Sequence, residues 1–84
     1  MDEVTVDFHQ SAFNHDISKD DIIHALKHRI HDASIDGFSE KYAVIGPNRA
    51  GNLLEILFDS IDDNNICVYH AMIVRKSFIN RLGL

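Results

Sequence analysis

From Val4 to Phe8 apolar and polar positions alternate, Val4-Thr5-Val6-Asp7-Phe8, a period of two that predicts a short extended edge strand. His9 to His15 then predicts a helical turn carrying Phe13 inward, closed by Asp16, a residue type that tolerates left-handed backbone. The period changes at Ser18. Ile22, Ile23, Leu26 and Ile30 fall in one stripe at 100° per residue, preceded by Ser18-Lys19-Asp20-Asp21, in which Ser18 can cap the amide of Asp21 and the two acids meet the positive end of the helix dipole. A helix from Ser18 to about Arg29 is predicted.

Beyond it the period returns to two, with strands expected at Ile30–Ile35, Lys41–Ile45, Asn52–Asp59 and Ile66–Met72. Asp36-Gly37, the loop from Gly46 to Gly51, and Asp62-Asp63-Asn64-Asn65 separate them, and connections this short join antiparallel neighbours. Strict alternation puts Leu54, Ile56 and Phe58 on one face of the third strand, and Ile66, Val68, His70 and Met72 on one face of the fourth. Phe78, Ile79 and Leu82 then mark a short C-terminal helix over Arg75–Leu82, stopped by Gly83. The expected fold class is α+β: N-terminal helical segments, a three- to four-stranded antiparallel sheet that packs the capped helix on one face, and a short C-terminal helix.

Eighty-four residues allow one domain, 1–84, and a chain this small gains from a partner's added interface, including a second copy of itself. One cysteine, Cys67, excludes an internal disulfide framework and a multi-cysteine zinc site, and reads as an inert core thiol. The acidic start, Met1-Asp2-Glu3, and the lack of any long apolar run predict a cytoplasmic protein without a signal peptide or membrane segment.

The formal net charge of −5 argues against a nonspecific nucleic-acid coat. Its distribution is uneven: all thirteen acids lie between Asp2 and Asp63, whereas Asn64 to Leu84 holds Arg75, Lys76 and Arg81 and no acid. A phosphate would be met in that last quarter.

His24, His28 and His31 recur at i, i+4 and i+7, one stripe on a helix, which is either a solvated face or a weak metal chelate lacking a positioned third ligand. His70 is more informative because it precedes Arg75 and Lys76. Metal-free RNA cleavage needs a base for the 2′-hydroxyl, cations for the phosphorane charge and an acid for the leaving oxygen. His70 can act as base or acid, Arg75 and Lys76 as cations, and Arg49 as a second phosphate contact if its loop folds over the sheet edge. The alternative is a hydrogen-bonded strand histidine beside a solvated helix start. Glu55, opposite Leu54 and Ile56 in facing, is expected to pair with a cation across the sheet.

Three motifs resemble the BrnT-like toxins of the RelE superfamily: Asn14-His15-Asp16-Ile17-Ser18 leading into the capped helix, the stretch from Ile45 through Gly46-Pro47-Asn48-Arg49-Ala50-Gly51 to Glu55, and Tyr69-His70-Ala71-Met72 followed by Arg75, Lys76 and Phe78. The resemblance implies helices before a compact antiparallel sheet and ribosome-independent RNA cleavage that arrests growth. It also implies an adjacent antitoxin that neutralises the toxin and represses the operon with it. DNA would be met only through that complex, and no cofactor or metal is called for. It marks His70, Arg75 and Lys76 as candidate catalytic residues, and Arg49 and His15 as candidate RNA contacts. This chain departs from better-known sequences of that kind, which carry Ser-Ala-Arg where His70-Ala71-Met72 stands and are more basic. A degenerate, non-enzymatic module acting through its partner is the competing expectation.

Overall fold

The computed structural model describes residues 4–35 and 40–83. The alternating segment at the start forms β1, Thr5–Phe8, and a 3₁₀ turn follows at Gln10–Phe13. Then come helix α1, Lys19–Lys27, strands β2, His31–Ser34, β3, Lys41–Pro47, β4, Leu53–Asp62, and β5, Asn65–Ile73, and helix α2, Lys76–Arg81. The fold is α+β, and β2 to β5 form the antiparallel meander that the short connections require.

In detail the sheet differs from expectation, having five strands in the order β1-β5-β4-β3-β2, with β1 parallel to β5. The edge strand is where the alternation placed it, but its partner comes from the other end of the chain. Thr5 N–H donates to the Asn64 carbonyl and His9 N–H to that of Val68. Everything between β1 and β5 supplies the long connection that parallel pairing needs. Past Phe8 the 3₁₀ turn runs along the exposed edge of β5, where Ser11 Oγ donates to the Tyr69 carbonyl at 2.6 Å. Ala12 is the buried residue of that turn. Phe13, expected to face inward, is exposed and packs on Phe8 with ring centroids 5.5 Å apart. The left-handed backbone anticipated at Asp16 is present, with φ 60°.

Helix α1 begins as its sequence demands. Ser18 Oγ accepts from Asp21 N–H at 3.2 Å and donates to the Asp21 carboxylate at 3.1 Å. Ser18→Ala should lower stability by about 1 kcal/mol, the usual worth of such a cap, read as a shift in the urea midpoint at unchanged slope. The helix ends at Lys27, earlier than the stripe suggested, and Ile30 lies outside it, exposed. Its Ile22 and Ala25 pack on Val44, Leu54, Ile56, Val68 and Ala71 to form the main core. Gly46, expected in a loop, is instead a buried β3 residue directly beneath Ala25. The loop proper is held by Asn48, whose side chain accepts from the amides of Ala50 and Asn52. The Asp36-Gly37 turn lies outside the described residues.

The opposite sheet face has its own cover. Phe78 of α2 packs on Ala43 and Ile45, with Leu53, Leu57, Val74, Ile79 and Leu82 around them. The C-terminal stripe thus closes a second core on the face that α1 leaves open. Cys67 is half-buried rather than part of either core.

Candidate functional site

Strand β4 reads Leu53-Leu54-Glu55-Ile56-Leu57-Phe58, a carboxylate in the middle of an apolar run. Pairing fixes its direction: Ile45 and Met72 flank Glu55 on the two neighbouring strands. Its side chain therefore enters the α2 face, where it is fully buried. An ionised carboxylate there is tolerable only if its lone pairs are filled by strong donors.

A bulge in β5 supplies one of them. Leu57 pairs with His70 and its neighbour Phe58 with Val68, so Tyr69 is an extra residue opposite the pair. The expectation that Val68 and His70 share a face is therefore wrong. Val68 goes into the main core under α1, and the bulge turns His70 to the other side, beside Glu55. His70 Nε2 lies 2.8 Å from Glu55 Oε2, with the imidazole side chain one-fifth exposed.

Arg75 supplies the rest from the extended residue at which β5 gives way to α2. Its backbone N–H donates to Glu55 Oε1 at 2.9 Å. Its Nε donates to the same oxygen at 3.1 Å, and its Nη2 to Oε2 at 2.7 Å. This side-on fork leaves Nη1 without a partner among the described residues, on a guanidinium side chain that is 54% exposed. Burial pushes the Glu55 carboxyl up. The Arg75 side-chain and His70 hydrogen bonds, the Arg75 amide and the guanidinium charge together outweigh it, and hold the group below its ordinary value. Since Glu55 is thus an anion and can only accept, His70 Nε2 carries the proton of their hydrogen bond. In the neutral ring the second nitrogen, Nδ1, then bears the lone pair.

His15, beyond the 3₁₀ turn, reaches the same group through His70. Its ring lies edge-on to that of His70, centroids 5.5 Å apart at 72°, and it holds no hydrogen bond among the described residues. The structure thus brings together His70, Arg75 and His15, three residues the sequence singled out. It adds Glu55 as the hub that joins the first two.

Arg49 is engaged elsewhere. Its amide and Nε both donate to Asp21 Oδ1, at 2.9 and 3.0 Å, with Asp20 3.8 Å from Nη1, so the guanidinium turns to the start of α1 and not to a phosphate site at the sheet edge. Those Arg49 hydrogen bonds, side chain first and then backbone, bring the Asp21 pKa down to about 2. Lys76 begins α2 exposed and forms no ion pair among the described residues.

The histidine stripe does not form. His24 on α1 and His28 at its C-cap have tilted rings with centroids 4.4 Å apart, and His24 Nδ1 sits 2.9 Å from the Pro47 carbonyl, but His31 lies on β2, because the helix ends first.

Fold and site together define an α+β protein in which a buried carboxylate orients an imidazole and a half-exposed guanidinium at one surface. Comparison of the chain with protein-family models, curated proteins and solved structures gives no match.

Proposed function

We propose that this chain is the toxin component of a bacterial toxin–antitoxin pair, a metal-independent ribonuclease neutralised by a cognate antitoxin. The observation that carries the reading is that one buried carboxylate holds both His70 and Arg75. Such an anion fixes the imidazole's tautomer and orientation, as the carboxylate of a catalytic triad does, and leaves its far nitrogen to take a proton. The same anion aims a guanidinium whose Nη1, without a partner among the described residues, can serve a phosphate oxygen or charge developing on phosphorus. The motif resemblance supports the same reading. The arginine that related toxins are expected to carry at Met72 would fall directly across from Glu55, and in this chain Arg75 provides the guanidinium for that carboxylate.

Induction of the gene alone should arrest growth and cut cellular transcripts, and His70→Ala should relieve the arrest while the variant remains folded. Undiminished growth at high expression of folded protein removes the ribonuclease reading, and equal toxicity of His70→Ala removes the imidazole from it.

A second reading, a partner-binding module without catalysis, is favoured by a groove of about 900 Å³ on the α1 face of the sheet. Val4, Val6, Ile23, Leu26, Tyr42 and Phe58 line it, beyond the part of the sheet that α1 covers. An apolar segment of the antitoxin suits such a surface. On this reading the product of an adjacent small open reading frame co-purifies with the chain, operator DNA is bound only by the complex, and RNA incubated with the chain stays intact.

A further inference from the structure

We propose that His15 is the second proton-transfer residue of this site, the general acid that protonates the leaving oxygen while His70 serves as general base, with single-stranded RNA as the substrate class. The inference rests on the ribonuclease reading and goes beyond it by dividing the two proton transfers between two rings.

The argument starts from what the Glu55 contact leaves over. With Nε2 of His70 committed to Glu55 at 2.8 Å, that ring has one nitrogen, Nδ1, for substrate. Displacement at phosphorus places the attacking and departing oxygens on opposite sides of the phosphorus, roughly in line. One nitrogen cannot serve both within a single step. A second titratable group is required, and among the described residues the ring that touches His70 is His15. Glu55 is fully buried with all its contacts taken, and Arg75 does not give up its proton near neutrality. His15 is exposed and holds no hydrogen bond among the described residues, so its ring can exchange protons with water between turnovers. It is presented from the short connection between the 3₁₀ turn and α1, next to Asp16 in left-handed backbone.

The step balances without a metal or cofactor. His70 Nδ1 takes the 2′-hydroxyl proton as the O2′–P bond forms, and the P–O5′ bond breaks as the His15 imidazolium passes its proton to O5′. The products are a 2′,3′-cyclic phosphate and a 5′-hydroxyl, and solvent returns the two rings to their starting states. Arg75, through Nη1, which has no partner among the described residues, faces the charge on the non-bridging oxygens. The 2′-hydroxyl requirement excludes DNA, and the need for in-line geometry favours flexible single strands over duplex.

The test uses the full chain and a mixed-sequence single-stranded RNA oligonucleotide. At the bond the wild type cuts, O5′ is replaced by sulfur in a second oligonucleotide, a leaving group that departs without a proton. His15→Ala should cut the all-oxygen RNA at least about 100-fold more slowly than wild type, with an unchanged thermal midpoint, and should recover to within a few-fold of wild type on the sulfur-bridged RNA. His70→Ala should be slow on both. Unimpaired cleavage by His15→Ala overturns the assignment and leaves the ribonuclease reading standing, as does sulfur rescue of His70→Ala or of Lys76→Ala in place of His15→Ala. Products with a 5′-phosphate overturn the step itself. A wild-type protein that cuts no RNA removes both the reading and the assignment.

Discussion

Gly46→Ala should cost about 3 kcal/mol or more and lift α1 from the sheet, because the site has no volume for a single methyl group. A Cβ built on Gly46 runs into the Ala25 carbonyl oxygen well inside contact distance. It also lies 2.9 Å from the Ala25 carbonyl carbon and 3.1 Å from Arg29 Cα. All three atoms belong to the backbone around α1 and its C-terminal end, so no rotamer change relieves the overlap. The helix itself has to move. Overpacking a core ordinarily costs about 1–3 kcal/mol, and it costs more where rigid backbone is the obstacle. Displacement would also strain the His24–Pro47 and Asp21–Arg49 contacts that tie α1 to the end of β3 and its loop. A protein of this size is stable by only about 4–13 kcal/mol, so the loss should appear as a large drop in the urea midpoint and early release of α1 amides in hydrogen exchange. Gly51→Ala is the control. With φ +90° and nothing within 4 Å of an added Cβ, it should cost about 1–2 kcal/mol from left-handed backbone alone, and leave α1 in place. Equal losses in the two variants would show that Gly46 matters through its backbone and not through contact with the helix.

Arg75→Ala should reverse the sign with which Glu55 contributes to stability as pH changes. In the wild-type protein the folded-state pKa of Glu55 lies below its ordinary 4.5. Its contribution is therefore complete above that value and is lost as pH falls through the folded pKa. Burial is the largest influence on this group and acts upward. Without the guanidinium, only His70 and the residue-75 amide oppose it, and the folded pKa moves above the unfolded one. The contribution is then complete below about 4.5 and is lost as pH rises through the raised folded pKa. The stability gap between wild type and variant should therefore widen from acid to neutral pH, reaching about 2 kcal/mol at pH 7. That figure is below the about 3–5 kcal/mol of breaking a fully buried pair, because half of the Arg75 side chain is already hydrated. Parallel stability curves in denaturant titrations between pH 4 and pH 7 would show that Glu55 does not depend on Arg75 for its charge. Arg75→Lys keeps a cation but loses the side-on fork, so it should recover only part of the gap.

The candidate site is partly legible in the sequence. An imidazole just ahead of an acid-free, basic segment is a sequence-level signal, and His70 and Arg75 do converge. Glu55 is legible as an acid in an apolar strand, facing opposite Leu54 and Ile56 and expected to pair with a cation, which the structure shows to be Arg75. Its role as the hub came from contacts 15 and 20 residues away. Arg49 shows the converse. A basic residue in a glycine-flanked loop suits phosphate binding, but Asp21 in the first turn of α1 is close enough to take it.

By itself the sequence determined the local features: the Ser18 cap, the strand periods, the left-handed residue at Asp16, the apolar stripe of α2, and turns too short for anything but antiparallel neighbours. Each is set by residues within a few positions of one another, where steric fit, capping and alternation operate. Only the tertiary structure decided that β1 pairs parallel with β5, that Gly46 lies under Ala25, and that an extra residue at Tyr69 turns His70 from the α1 core to Glu55. Those outcomes depend on contacts between distant segments, and a one-residue bulge reverses every facing that alternation predicts beyond it.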